Sequence, residues 1–425
     1  MAEGLVARIG ALELLGGVMG DGLPLSDLLD PKGPLDGYAP ADRARAQRLA
    51  LSVLRQVEPL DRLLSKHLRK APPLAVMNVL RLAVVELVGG AAAHGVVNSA
   101  VEIANRGRRT KALAGLINAV LRAVGPAPVL DGPAQRMPRW LRQPMVHAYG
   151  RDAVAAIEAV QAAEPPLDLT PKAAGSKAAG SKAAAGPMPE GAVLPTGSLR
   201  LADAGQVSAL PGFAEGAWWV QDAAAALAVP LLGVQPGERV LDLCAAPGGK
   251  TMQLAAAGAE VTALDISGPR LARVAQNLQR TGLRARLVTA DALHWQPEAQ
   301  FDAVLLDAPC SASGTIRRHP DLPFVKDDSG LAALTALQAA LFDRALAWVK
   351  PGGRLVYCTC SLLPEEGEAQ LAAAMARHSD LRVVRAALPS VPDDWITPDG
   401  ALRIRPDYWA DRGGLDGFFM VCVTR

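Results

Sequence analysis

The chain has 425 residues, half of them apolar and a fifth charged, and a formal net charge of +2. That length exceeds one hydrophobic core and predicts two or three domains. The near-neutral balance excludes a wholly basic or acidic chain whose charge alone would name a partner, and no apolar run reaches the roughly 18 residues a membrane helix needs.

The start, Met-Ala-Glu-Gly-Leu-Val-Ala-Arg, has no basic stretch followed by an apolar core, so no signal peptide is expected. Residues 1–126 read as a small all-helical domain. Leu49, Val53, Val57, Leu60 and Leu64 recur at helical spacing, as do Val76, Leu80, Ala83, Val84 and Leu87. Asn98 is expected to cap a helix over Ser99–Arg106, and Lys111–Val124 is a further amphipathic stretch. From Asp42 to Gly125 there are 14 Lys/Arg against 5 Asp/Glu, with Arg108, Arg109 and Lys111 among them. Such an excess suits a polyanion-binding surface. It equally suits a solvated helical face, and charge alone does not separate the two.

Residues 127–198 form a connection. Arg139–His147 and Ala153–Ala163 have helical patterns. Lys172–Gly186 is a Lys/Ala/Gly/Ser repeat without bulky apolar groups, which reads as a flexible linker because it cannot bury enough surface to offset its ordering entropy.

From residue 199 to 425 strands and helices alternate. The strands are Arg239–Leu243, Glu260–Leu264, Ala285–Thr289, Phe301–Leu306, Arg354–Cys358, Leu381–Ala386 and Phe418–Cys422. The intervening helices are Gln221–Leu231, Thr251–Ala257, Arg270–Thr281, Leu331–Val349 and Glu365–Arg377. This predicts an α/β Rossmann-like domain with a mostly parallel seven-stranded sheet covered on both faces. Ligands bind beyond the carboxyl ends of such strands.

Three segments concentrate chemistry at those ends. Asp242-Leu-Cys-Ala-Ala-Pro-Gly-Gly-Lys-Thr251 turns from a strand into a helix through Gly248 and Gly249, where missing side chains admit a close ligand. Asp242, Asp265, Asp291 and Asp307 each close a strand and together form an acidic rim. One such acid alone would read as a helix cap. The spacing is neither Gly-x-Gly-x-x-Gly nor Gly-x-x-x-x-Gly-Lys-Ser/Thr, since Cys244 stands where the first glycine of the latter belongs. A dinucleotide and a phosphate cradle are both disfavoured. S-adenosylmethionine, which carries no phosphate, suits an acidic rim.

The second segment is Asp307-Ala-Pro-Cys310 with its Ser/Gly loop, and the third is Tyr357-Cys-Thr-Cys-Ser361. A lone cysteine is usually a small core residue, but strand-end thiols beside a cofactor loop point to covalent group transfer. Cys358 and Cys360 share a strand face, and Cys360, nearer the end, is expected to be the exposed one. A thiolate adding to carbon 6 of a pyrimidine makes carbon 5 nucleophilic, and elimination then restores the ring. Asp307 is the candidate partner of the base edge. Arg317 and Arg318 form a basic loop suited to a phosphate backbone or simply to solvent. Glu365, Glu366 and Glu368 read as acids at a helix start, favourable for the dipole. Five cysteines without matching pairs suggest a reducing cytoplasm and no metal site.

These motifs resemble RNA cytosine-carbon-5 methyltransferases of the RsmB (Sun/Fmu) family. The resemblance rests on Leu241–Lys250, Asp307–Cys310 and Thr359–Ser361, with Trp219–Asp222 and Asp416–Phe419. Val97–Ala104 and Leu116–Arg122 are similar to the NusB-type helical domain fused to such enzymes. The resemblance implies Cys360 as nucleophile, Cys310 as the residue aiding release, and S-adenosylmethionine held by Cys244, Ala245, Ala246, Pro247, Gly248, Gly249, Lys250, Asp265, Arg270, Asp291 and Asp307. In DNA cytosine methyltransferases the cysteine after proline is the nucleophile, which makes Cys310 the rival. It also implies RNA contacts from Arg108, Arg109, Lys111, Arg317 and Arg318, and a cytoplasmic monomer acting on 16S rRNA before or during small-subunit assembly. Pro166–Thr170 resembles the start of the family's small RNA-binding subdomain, which the repeat at 172–186 then shortens. Competing readings are a tRNA substrate, a catalytically idle RNA-binding assembly factor, and a dinucleotide-dependent reductase.

Overall fold

The computed structural model describes residues 4–108, 110–172, 186–203 and 205–425. The repeat at 173–185 and Arg109 lie outside the described residues. The chain forms two compact units: Met1–Glu164 with Ile316–Asp328, and Pro165–Thr315 with Ser329–Arg425. The sequence limits at 126/127 and 198/199 fall inside these units.

The helical unit runs α1 (Leu5–Asp21), α2 (Leu25–Leu28), α3 (Pro40–Leu54), α4 (Val57–Ser65), α5 (Leu74–Val88), α6 (Ala93–Arg106), α7 (Ala114–Val124), α8 (Arg139–Tyr149) and α9 (Arg151–Ala162). The stripe Leu49–Leu64 is split between α3 and α4. Pro59 explains the break: it has no N–H for the carbonyl four residues back, yet is tolerated in the first turn of α4. Asn98 lies inside α6, not at its start. Lys111–Leu113 is a 3-10 turn that leads into α7. Leu14, Leu15, Val53, Leu60, Leu80 and Ile117 centre the core. Inside it Arg8 pairs with Glu86 through two bonds of 2.6 and 2.8 Å. Glu158 on α9 ties down α8 by accepting from Met137 N and Arg142 Nε.

In the second unit a small antiparallel sheet, β1 (Leu167–Pro171), β2 (Ala192–Val193), β3 (Leu199–Leu201) and β4 (Trp218–Val220), has the order β2-β3-β1-β4. A short helix follows, α10 (Ala228–Leu232). Then come β5 (Arg239–Leu243), α11 (Gly249–Ala256), β6 (Glu260–Asp265), α12 (Gly268–Thr281), β7 (Arg286–Thr289) and β8 (Phe301–Asp307). The chain continues through α13 (Leu322–Val325), which belongs to the helical unit. It returns with α14 (Leu331–Ala347), β9 (Val349–Thr359), α15 (Glu368–Arg377), β10 (Arg382–Val384), β11 (Leu402–Ile404) and β12 (Phe418–Thr424).

The large sheet has the order β10-β12-β9-β8-β5-β6-β7. β9, β8, β5, β6 and β7 run parallel, and β12 lies antiparallel to β9 and β10. The expected seven strands form this path, and β11 adds an eighth by pairing with β12. Three residues long, β11 carries too short an alternation to read from sequence. Leu241, Leu243, Val304, Leu306 and Leu355 are buried because helices cover both faces. β5 pairs with β6 on one side and β8 on the other, so the strand order reverses there. Such a switch point opens a crevice at the carboxyl ends. No helix among the described residues is long and apolar enough to cross a membrane.

Candidate active site

Strand register decides what meets at the crevice. Leu243 lies beside Leu264 and Leu306, and Asp307 lies beside Cys358. Asp242, Asp265 and Asp307 therefore cluster at neighbouring strand ends. Asp291 lies two residues beyond β7, where it caps the turn by accepting from Leu293 N at 2.9 Å.

The loop after β5 is bent by three features. Cys244 has φ +60, the Ala246–Pro247 peptide is cis, and Gly248 has φ +101. A Cβ on Gly248 would fall 2.9 Å from Val274 Cγ1, so only glycine fits. Asp265 braces the loop, accepting from Ala246 N at 3.1 Å and Ser267 N at 2.9 Å. Arg270 does the same from outside, donating to the Ala246 carbonyl at 2.7 Å. Both were expected to touch the cofactor. In the structure both hold the loop, and Asp265 is itself buried.

Lys250 is turned to a neighbour too. Its ammonium donates to Asp307 Oδ2 at 2.7 Å and lies over the Phe418 ring. The other Asp307 oxygen accepts from Cys358 Sγ at 3.4 Å. Asp307 is thus oriented from two sides. Burial pushes the Asp242 carboxyl up to about 7, partly opposed by its bond from Thr251. Its Oδ1 is buried without a partner.

The residues fit S-adenosylmethionine. Asp242 leaves a buried polar atom unpaired, and Ala245, Ala246 and Pro247 keep the loop slim. Ile266, directly after Asp265, is 69 % exposed.

The two cysteine segments meet. Cys310 Sγ and Cys360 Sγ lie 3.4 Å apart, both partly exposed, whereas Cys358 is buried. The bond with Cys360 and then burial hold the Cys310 thiol well above the ordinary range. Burial likewise pushes Cys244 up to about 12 and Cys422 to about 11, which leaves both inert.

Three hydroxyls lock the turns together. Ser311, Ser313 and Ser361 stand in a triangle with Oγ–Oγ distances of 3.0, 3.2 and 3.1 Å. Ser313 and Ser361 also accept from Leu362 N and Leu363 N, and Gly314 N donates to the Cys360 carbonyl. The flanking motifs join here: Gly417 N donates to the Gly314 carbonyl, and Asp222 accepts from Asp416 N. Glu366 is fully buried in the 3-10 turn Pro364–Glu366 and accepts from Ser311 N, so the helix-dipole reading of it is replaced. Glu368 starts α15 and pairs with Arg403.

The expected RNA contacts divide. Arg108 and Lys111 are exposed, and Arg318 is partly exposed. Arg317 is 1 % exposed, and its carbonyl accepts from Arg55 Nη2. It serves the packing of the helical unit and cannot present itself to a phosphate. Its neighbours in sequence, Arg-Arg-His, gave no signal of this. Among the described residues no group of three or more His, Cys, Asp or Glu is placed to hold a metal ion.

With this geometry in place, the comparisons are specific. The family described as 16S rRNA methyltransferase RsmB/F matches residues 229–423, and the NusB family matches residues 6–126. A ribosomal RNA small subunit methyltransferase B of Salmonella arizonae is 45 % identical over 227 residues, covering 52 % of this chain and 50 % of the relative. One of Klebsiella pneumoniae is 47 % identical over 206 residues, covering 47 % and 48 %. The chain thus spans about half the length of the curated relatives it matches. Among solved structures, PH0851 is similar in fold over 100 % of this chain and 99 % of its own, with TM-score 0.73 and 21 % identity. A methyltransferase homologue from Pyrococcus horikoshii covers 66 % and 93 %, with TM-score 0.53 and 26 % identity. The cofactor of this methyltransferase fold is S-adenosylmethionine. Residues 229–423 with their paired cysteines are thus similar to the RsmB/F methyltransferases, and residues 6–126 with their helices to the NusB family.

Proposed function

We propose that the chain is an S-adenosylmethionine-dependent RNA methyltransferase that makes 5-methylcytosine in 16S rRNA through a bond between Cys360 and carbon 6 of the base. One observation carries this reading: the Cys310 and Cys360 sulfurs lie 3.4 Å apart at the carboxyl ends of parallel strands. The relatives named for the small ribosomal subunit support the substrate.

Carbon 5 of cytosine is a poor nucleophile. The Cys360 thiolate adds to carbon 6, and the displaced electron pair makes carbon 5 enamine-like. S-adenosylmethionine supplies the electrophilic methyl group on a sulfonium, which leaves as a neutral thioether. The proton on carbon 5 then passes to water, the C6–S bond breaks, and its electron pair returns to Cys360. Cys310 keeps its own proton and donates it as a hydrogen bond to that sulfur, stabilising the thiolate before attack and at release. Asp307, fixed by Lys250 and Cys358, takes the polar edge of the base.

The base must leave its stack to reach these groups. The RNA is therefore taken unassembled or during small-subunit assembly. Arg108, Arg109, Lys111 and Arg318 contribute phosphate contacts, and the protein works as a cytoplasmic monomer.

The test is transfer of labelled methyl from S-adenosylmethionine to a 16S rRNA transcript, with bisulfite sequencing of the product. Cys360→Ala should lose transfer by at least ~10³-fold. Cys310→Ala should retain RNA on the protein, because without its donor the free thiolate is costlier relative to the adduct. Full transfer by Cys360→Ala would reassign the nucleophile to Cys310. Preferential labelling of a tRNA transcript would change the substrate.

A further inference from the structure

We propose that Glu366 is a positioning residue for Cys310: it ties the Cys310 turn to the strand carrying Cys360 and thereby sets the sulfur pair for release of the methylated base. The inference rests on the reading given under Proposed function.

The ties run both ways from one residue. Glu366 Oε1 accepts from Ser311 N at 2.8 Å and from Gln338 Nε2 at 3.0 Å. The same Gln338 amide donates to the Pro309 carbonyl at 2.8 Å. The residues before and after Cys310 are therefore both held by this Glu–Gln couple. The Glu366 backbone carbonyl faces the other segment. It accepts from Tyr357 OH at 2.9 Å and Thr359 Oγ1 at 3.1 Å. Those residues alternate with Cys358 and lead directly into Cys360.

Stability alone does not account for a carboxylate here. Glu366 is fully buried, its Oε2 has no hydrogen-bond partner, and no ion pair to it is formed among the described residues. Burying an unpaired carboxylate is costly, and an amide or apolar residue would relieve that cost. Its charge also matters to the pair. After the Cys360 bond and burial, the Glu366 carboxylate is a further influence that opposes ionisation of Cys310. The ties through Ser311 N and the Pro309 carbonyl keep the Cys310 backbone where its sulfur reaches Cys360.

The test uses the full chain, S-adenosylmethionine and a 16S rRNA transcript, and reads two quantities: labelled-methyl turnover, and the fraction of protein that migrates with RNA on a denaturing gel. Glu366→Ala should lower turnover at least tenfold and raise the RNA-bound fraction severalfold, as Cys310→Ala does. Glu366→Gln keeps an acceptor for Ser311 N and should recover part of the turnover. A merely structural loss would lower turnover without retaining RNA. Should Glu366→Ala fail to fold, Gln338→Leu and Glu366→Gln carry the test, and both must retain more RNA than wild type. Retained RNA in Cys310→Ala with none in the Glu366 and Gln338 variants sinks this inference alone. None in any variant sinks the covalent reading and this inference with it.

Discussion

Gly314 and Gly417 meet through bare backbone: Gly417 N donates to the Gly314 carbonyl at 2.8 Å, and a Cβ on Gly314 would fall far inside van der Waals contact with the Gly417 carbonyl oxygen. The clash is with main chain, so no rotamer relieves it. Gly314→Ala should cost about 1–3 kcal/mol by overpacking and displace the Cys310 turn. The expected kinetics are a kcat at least tenfold lower with KM for S-adenosylmethionine within about twofold of wild type. Gly330→Ala is the control. It has open space around its Cα and should stay within about 0.5 kcal/mol of wild type. Equal behaviour of the two variants would mean that the contact is not limiting.

Asp242 gives a pH signature. Its carboxyl is raised by burial from 3.8 to about 7, so the folded protein binds this proton more tightly than the unfolded chain. The sign follows: protonated Asp242 is compatible with the fold, and its contribution to stability falls as pH rises from about 4 through 7. Asp242→Asn cannot ionise and keeps an oxygen for Thr251. Relative to wild type, it should gain up to about 4 kcal/mol between pH 4 and pH 8. Urea denaturation at both pH values measures this, and a difference that does not change with pH would rule the effect out.

Lys250 contributes through Asp307. Lys250→Met leaves that carboxylate with Cys358 as its remaining partner in the pair described above. Single-turnover methyl transfer should slow at least tenfold, while Lys250→Arg, which restores the charge on a differently shaped head, should fall between. Unchanged rates in both would remove Lys250 from the orientation of Asp307.

Arg200 and Asp168 form a buried two-pronged pair, both bonds 2.7 Å, that fastens β3 to β1. Arg200 also donates to the Arg412 and Gly414 carbonyls. Arg200→Met strands a buried carboxylate and should cost about 3–5 kcal/mol. Adding Asp168→Leu should return part of that loss in chemical denaturation, since the stranded charge is then gone. A double variant no better than the single would argue that the bonds to Arg412 and Gly414 dominate.

The central strands were legible because burial on both faces leaves apolar runs, continuous in Ala303–Leu306 and broken only by Asp242 in Val240–Leu243. The turn from β5 into α11 was legible because glycines and a strand-closing acid are local signals. Glu366 was misread because its partner, Ser311, lies 55 residues away, and chain separation of that order hides a contact from any periodicity. Arg317 failed for the opposite reason: a run of charges looks solvated, and only Arg55, 262 residues away, shows it to be inside. Lys250 and Arg270 were read as cofactor contacts, and sequence could not show that one turns to Asp307 and the other to the Ala246 carbonyl.

The last strand, β12, lies between β9 and β10 and also supports β11. During synthesis these three strands exist well before their common neighbour does. Until Thr424 has emerged, the side of β9 away from β8 is an unpaired edge of apolar residues, a surface prone to joining other chains. The sulfur-bearing strand therefore reaches its final setting only after translation of Phe418–Thr424. A nascent chain stalled before that point would be inactive and in need of shielding.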